Sequence, residues 1–301
     1  MKIAIVTQLS KSIEVRSILQ ELNSLGHEGK VINIRDLILE IGNSEESENG
    51  IFFEGENLFD YDLVLIRFIF NTVRRTRAII KYLRANNVKV YDNSLDLNGF
   101  YINKTLDSVN LHINKIPHPY TINVMDEDDF KESCEELLSH KSSIIVKNSG
   151  HISGQSVFQL ENDGEVDDFI DRIKAENKSV KSYLIQELIS VKKIISVLVL
   201  DKKIIRLIEK HENSESSLKT LILKKFTNFK YYNSLEIDFK LIDKVMEVSN
   251  CSSAVIDLLI SEDNKTYVID MNRMPHLKNF EKDTNENLTK VFIEASIRNA
   301  Y

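Results

Sequence analysis

The chain opens on a short apolar run, Lys2 to Thr7 (KIAIVT), and then changes rhythm. Val15, Ile18, Leu19, Leu22 and Leu25 recur at the spacing of one helical face, up to Gly26. That periodicity predicts a strand, a loop and a helix that stops at the glycine. VINI (Val31 to Ile34) is the next expected strand, so the opening is a βαβ unit, the mark of a doubly wound parallel sheet. The polar, acidic and glycine-bearing stretch Gly42 to Gly55 reads as a surface loop or short excursion. DLVLIRFIF (Asp62 to Phe70) reads as a buried strand carrying Arg67; an amphipathic helix near Val73 to Asn86 and the strand VKVYD follow.

From Asp92 the texture changes to a loop, a helix near Asn103 to Asn114 that begins with Lys104, and a turn holding Pro117 and Pro119. DEDDFKESCEELL predicts an acid-capped helix. SSIIVKNSGHISGQSVFQL predicts strand, loop, strand, with Lys147 at the end of the first strand. A helix near Glu165 to Lys178 leads to the apolar strand SYLIQELI, which ends in Gln186 and Glu187. IISVLVLDKKIIRLIE and LKTLILKKF are β-rich, Phe239 to Ser249 reads as a helix, and Asn285 to Asn299 reads as the last helix.

With 301 residues and 42% hydrophobic content the chain can bury a large core divided over two or three units. The pattern has no apolar run near the roughly 18 residues of a membrane span, and MKIAIVTQLSKSIEVR lacks the apolar core and cleavage site of a secretory leader. Cys134 and Cys251 are far apart and without metal-ligand spacing, so neither a disulfide framework nor a zinc site is expected, and a cytoplasmic location is. A net charge of −7 argues against nucleic acid as the main partner. Lys181 to Lys230 holds eleven Lys or Arg against five Asp or Glu, a basic third suited to a polyanionic ligand or to an ordinary solvated face.

The most chemically loaded segment is Ala254 to Leu277, AVIDLLISEDNKTYVIDMNRMPHL. AVIDLLI and TYVIDMN are β-branched runs joined by the polar SEDNK, a hairpin pattern. Pairing outward from a turn centred between Asp263 and Asn264 sets Asp257 opposite Asp270, with Asn272 two residues on and therefore on the same face. Carboxylates about 5 Å apart repel unless something positive lies between them. Two carboxylates and an amide oxygen form a hard-oxygen set that suits Mg2+ or Mn2+ shared with phosphate, while a solvated hairpin explains the same spacing without any ligand. The loop Asn148 to Ser156, with Gly150 and Gly154, follows a strand-end lysine and is rich in donors, as a phosphate-covering loop or a plain hairpin loop would be.

Taken in order, Lys104, Lys147, Gln186-Glu187, Asp257, Asp270 and Asn272 with Pro275 resemble the ATP-grasp ligases, specifically the RimK-like branch. The likeness runs through KIAIVT, LGHEGKVINI, NSLDLNGFYINK, IPHPYTI, VKNSGHISGQSV, LIQELI, AVIDLL and YVIDMNRMPHLKNFEKDT, with Asp270 in place of the family's glutamate. The resemblance implies α/β and α+β content in an ATP-grasp fold: an N-terminal doubly wound parallel-sheet domain over 1–92, followed by two α+β subdomains, 93–187 and 188–301, that sandwich ATP. It implies that Lys104, Lys147 and Gly154 meet the nucleotide phosphates and that Gln186, Glu187, Leu188 and Ile189 meet adenine and ribose. Asp257, Asp270 and Asn272 would hold Mg2+, or Mn2+. Arg67 and Lys219 are the expected catalytic cations, binding substrate carboxylate or phosphate. The implied reaction joins a glutamate-like amino acid to a carboxylate-bearing peptide, protein or small molecule through an acyl phosphate, releasing ADP and phosphate, in a chain that a homo-oligomer would also accommodate. Ile194-Ile195-Ser196 stands where relatives carry Asp-x-Arg, and Lys219 stands for an arginine. Those departures imply the alternative of a nucleotide-binding regulatory module without catalysis.

Overall fold

The computed structural model describes residues 1–42, 49–91, 103–149, 157–211, 228–231, 237–281 and 286–300. The opening βαβ pattern becomes a parallel sheet in which β1 (Lys2–Thr7) pairs with both β2 (Glu28–Asn33) and β6 (Leu63–Arg67), and β6 with β7 (Lys89–Tyr91). The first helix, α1 (Ile13–Ser24), starts on the Ser12 side chain and ends before Gly26, whose φ of 81° a glycine adopts without strain. Part of that expected stretch is ordered: β4 (Gly50–Phe53) pairs with β3 (Ile38–Glu40) and β5 (Glu56–Asn57), which flank it, in a small antiparallel sheet. Ile51 is fully buried there, and that burial outweighs the polar character of its surroundings. The helix α2 (Val73–Ala85) packs beside β7.

The helix α3 (Lys104–Ile113) is capped by Asn103, and α4 (Glu127–His140) and α5 (Asp163–Ala175) by Asp126 and Asn162. Those last two helices cover an antiparallel sheet formed by β8 (Thr121–Ile122), β9 (Ile144–Asn148), β10 (Val157–Leu160) and β11 (Tyr183–Glu187), in the order β10-β9-β11-β8. A five-stranded antiparallel sheet closes the chain, formed by β12 (Val191–Leu200), β13 (Lys203–His211), β14 (Asn228–Tyr231), β15 (Ser253–Ser261) and β16 (Thr266–Asn272). One of its faces, with Ile195, Val197, Ile256 and Leu258, packs on α6 (Phe239–Ser249). Its other face sends Leu198, Leu200 and Val255 into the core of the parallel sheet. The stretch LKTLILKKF lies outside the described residues.

Two packings join units across the limits 1–92, 93–187 and 188–301 that the resemblance implies. The helix α3, placed with the middle unit, contacts α6 of the last one. The final helix α8 (Leu288–Ala300) returns to pack on α1, with Leu288, Phe292 and Ile293 in the core of the parallel sheet. A short helix, α7 (Leu277–Glu281), was not foreseen; five residues are too few for a periodic signal. Among the described residues no helix is long and apolar enough to cross a membrane.

Candidate active site

In the closing hairpin Asp257 lies opposite Asp270 and Val255 opposite Asn272. The route to that pairing differs from the expected one. Near the turn Ile260 pairs with Thr266 and Leu258 with Val268, a register centred on Asp263. Continued unchanged it would bring Ile269 opposite Asp257; a bulge between Val268 and Asp270 shifts the strand by one residue and restores the facing carboxylates. The extra residue turns Val268 and Met271 toward the α6 core and leaves Asp270 and Asn272 on the other face.

Something positive does lie beside each carboxylate. Lys104, on the first turn of α3, ion-pairs with Asp270 Oδ1. Lys147, buried on β9, donates to the carbonyl of Ile269 at 3.2 Å. Across the sheet, Asp257 Oδ1 accepts from Ser196 Oγ at 2.5 Å and Oδ2 pairs with Lys210 Nζ at 2.7 Å. Burial pushes the Asp270 carboxyl up, but Lys104 and Lys147 outweigh it and hold the group at about 2. The Asp270 side chain keeps 41% of its area open to the cleft, so water enters the space around it while the two ammoniums stay close. For Lys147 burial dominates: it lowers the ammonium from 10.5 to about 8, Asp270 works against it and Lys104 with it.

Lys104, Lys147 and Asp270 line a cleft bounded by α3, α6, the middle sheet and β16. Leu184, Val268 and Met271 give it apolar walls, and Lys104, Lys147, Gln186 and Asp270 give it polar ones. Gln186 is buried and donates to Thr121 Oγ1 at 2.7 Å, while its Oε1 has no hydrogen-bond partner among the described residues. Two ammoniums against one carboxylate, beside an apolar slot with an unfilled acceptor, fit a phosphorylated ligand whose base carries an amino group. The cation set fits as well. Asp257 and Asp270 face each other, and the Asn272 amide oxygen, accepting from the Met274 N–H at 3.0 Å, retains a second lone pair. Among the described residues no group of three or more His, Cys, Asp or Glu offers another metal site.

The remaining expected residues divide. Leu188 and Ile189 form the connection from β11 to β12, with Ile189 packed near Ile194 and Leu259. The Glu187 side chain is spoken for: it accepts from the Tyr120 N–H at 3.0 Å and pairs with Lys141 at 2.9 Å. Burial raises its carboxyl, but those two partners outweigh it and the net direction is down. Gly154 and Lys219 lie outside the described residues. Arg67 is 2% exposed and donates to the Pro275 carbonyl at 2.5 Å, so its placement gives substrate binding no support.

Sequence reasoning missed Lys210 and the pair Arg273–Asp107. Lys210 follows from the hairpin over Asp201-Lys202, both at positive φ, and from a one-residue register shift between Leu198 and Val199, which together bring Lys210 opposite Ile194 and one diagonal step from Ser196; counting out from the turn alone would have set Lys210 opposite Lys193. Arg273 makes a bidentate bridge to Asp107 at 3.0 and 2.5 Å, joining α3 to the end of β16.

Residues 1–97 match the family described as RimK PreATP-grasp domain, and residues 103–296 the one described as RimK-like ATP-grasp domain. A search of curated proteins returns no match. Among solved structures the chain is similar to the ATP-grasp ligase PsnB complexed with a minimal precursor, with a TM-score of 0.71 at 17% identity over 98% of both chains. It is also similar to the D-cycloserine synthetase DcsG, with a TM-score of 0.69 at 13% identity over 100% of both chains. D-alanyl-alanine synthetase A from Vibrio cholerae gives 0.68 at 13% identity, covering 100% of this chain and 98% of that one.

Proposed function

The chain belongs to the RimK-like ATP-grasp family, and from that premise we propose that it is an ATP-dependent carboxylate-amine ligase. It joins a glutamate-like amino acid to the carboxylate of a peptide, protein or small molecule through an acyl phosphate, releasing ADP and phosphate. The observation that carries this reading is the convergence of Lys104 and Lys147, from separate elements, on Asp270 in a cleft with apolar walls. Similar folds described as a ligase with a precursor peptide, a D-cycloserine synthetase and a D-alanyl-alanine synthetase support amide-type ligation here.

Bound in the cleft, Mg-ATP would supply an activated phosphoryl group and two positive charges between Asp257, Asp270 and Asn272. The chain's own part is positioning and neutralisation, without a nucleophilic side chain. Lys147, fixed by its bond to Ile269, and Lys104, released from Asp270, bind phosphate oxygens. Lys210, anchored on Asp257, places a further ammonium on the same face, where a reacting carboxylate needs a counter-charge. Gln186 Oε1 reads an amino group at the far end of the slot.

The alternative, a nucleotide-binding module without catalysis, is favoured by one observation: Ser196 and Lys210 already satisfy both oxygens of Asp257. A screen for ADP release with ATP, Mg2+, the twenty amino acids and peptide fractions separates the two. Amine-dependent ADP release supports the ligase. Tight Mg-ATP binding without release under any amine supports the module.

A further inference from the structure

Arg67, Phe68 and Glu14 belong to the parallel-sheet domain, yet all three reach the segment that leaves the candidate metal strand. Glu14, 5% exposed, accepts from the backbone N–H of Leu277 at 2.9 Å and of Lys278 at 3.1 Å. Arg67 holds the Pro275 carbonyl and lies 3.9 Å from Glu14, so the pair grips donors and an acceptor of one short stretch of backbone. The Phe68 N–H points at Met274 Sδ at 3.0 Å, and its ring stacks on His276 with centroids 4.6 Å apart. Phe68 does this at a φ of 50°, a left-handed conformation that a bulky residue adopts only where its surroundings impose it. The next link inward is the Met274 N–H, which donates to Asn272 Oδ1.

This grip is more than a domain contact. Residues 273–276 connect the bulged strand to α7 and have no regular structure of their own, so their course is set by what they bind. The orientation of the Asn272 amide is set by Met274, whose sulfur Phe68 holds, while Pro275 and Leu277 are held by Arg67 and Glu14. We infer that Glu14, Arg67 and Phe68 are positioning residues that fix the Asn272 amide oxygen, and with it the end of the Asp270 strand, for a divalent cation. The inference rests on the nucleotide-metal reading above and adds to it that the parallel-sheet domain completes the metal site without touching it. Residues that orient ligands in this way change metal affinity by about 10- to 100-fold when altered.

The test is calorimetric titration of the whole chain with AMPPNP, in Mg2+ and again in EDTA, for the parent, Arg67→Lys and Glu14→Gln. The parent is expected to bind more tightly with Mg2+. Arg67→Lys keeps a cation but loses the planar fork, and Glu14→Gln keeps the volume but loses one acceptor; each is expected to lose about tenfold or more of the Mg2+-dependent gain while affinity in EDTA stays within about twofold. Glu14→Gln carries the test if Arg67→Lys does not fold. Equal losses in Mg2+ and EDTA, or a full Mg2+ gain in the variants, overturn the inference and leave the nucleotide reading standing. A parent that gains nothing from Mg2+ overturns the metal reading itself.

Discussion

Lys147 shows how one residue's surroundings set its chemistry. Its ammonium loses protons from about 8 in the fold, against 10.5 ordinarily, so between those values the folded chain binds fewer protons than the unfolded one. Stability of the nucleotide-free protein therefore rises with pH across that window, while affinity for a phosphate ligand falls as the charge is lost. Titrations of Mg-AMPPNP from pH 7 to 9.5 should show that fall in the parent and not in Lys147→Arg, whose guanidinium stays charged. An equal fall in both would remove Lys147 from the phosphate site. Asp270 makes the opposite case, since its folded carboxyl is depressed and its contribution is lost only as pH drops toward about 2. Asp270→Asn takes from Lys104 and Lys147 the carboxylate they share. It should lower stability in EDTA by about 1 kcal/mol or less, because the pair is half open to water, and abolish most of the Mg-nucleotide thermal shift. A variant that keeps the full shift would show Asp270 to be structural. The facing of Asp257 and Asp270 was legible because side chains on strands alternate; the lysines beside them were not, because Lys104 meets Asp270 from 166 residues away and nothing local announces the contact.

The element that carries the site is the bulged hairpin, and here the sequence was legible for an incomplete reason. A turn placed half a residue too far along predicted the right pair, and the bulge beside Ile269 supplied the compensating step. Apolar alternation locates strands well but does not reveal a one-residue insertion, whose cause lies in packing Val268 and Met271 against α6. The helix α3 is bolted to the same strand by two ion pairs, Lys104–Asp270 and Asp107–Arg273. The Arg273 side chain is 1% exposed, so removing Asp107 takes a bidentate partner from a buried charge. Asp107→Leu alone should cost about 3 kcal/mol in urea unfolding, whereas Asp107→Leu with Arg273→Met should cost markedly less. Costs that simply add would mean that the bridge contributes nothing as a pair.

At the scale of the molecule, the parallel opening was legible from periodicity, and the ATP-grasp arrangement of the rest from the family resemblance that the motif order carries. The return of α8 to the first core and the Glu14 and Arg67 grips were not: those contacts span more than 200 residues and join groups that look unremarkable in sequence. The sheets are what bring Lys147, Asp270 and Lys210 into one region, each from a different strand. If that arrangement performs carboxylate-amine ligation, the phosphoryl group passes to the substrate carboxylate before the amine arrives. An acceptor labelled with 18O in its carboxylate, incubated with ATP, Mg2+ and the amine identified by ADP release, tests this most directly. Mass spectrometry should find one carboxylate oxygen in the inorganic phosphate, with ADP as the nucleotide product. Label in AMP with release of pyrophosphate, or amide product with unlabelled phosphate, would contradict the account.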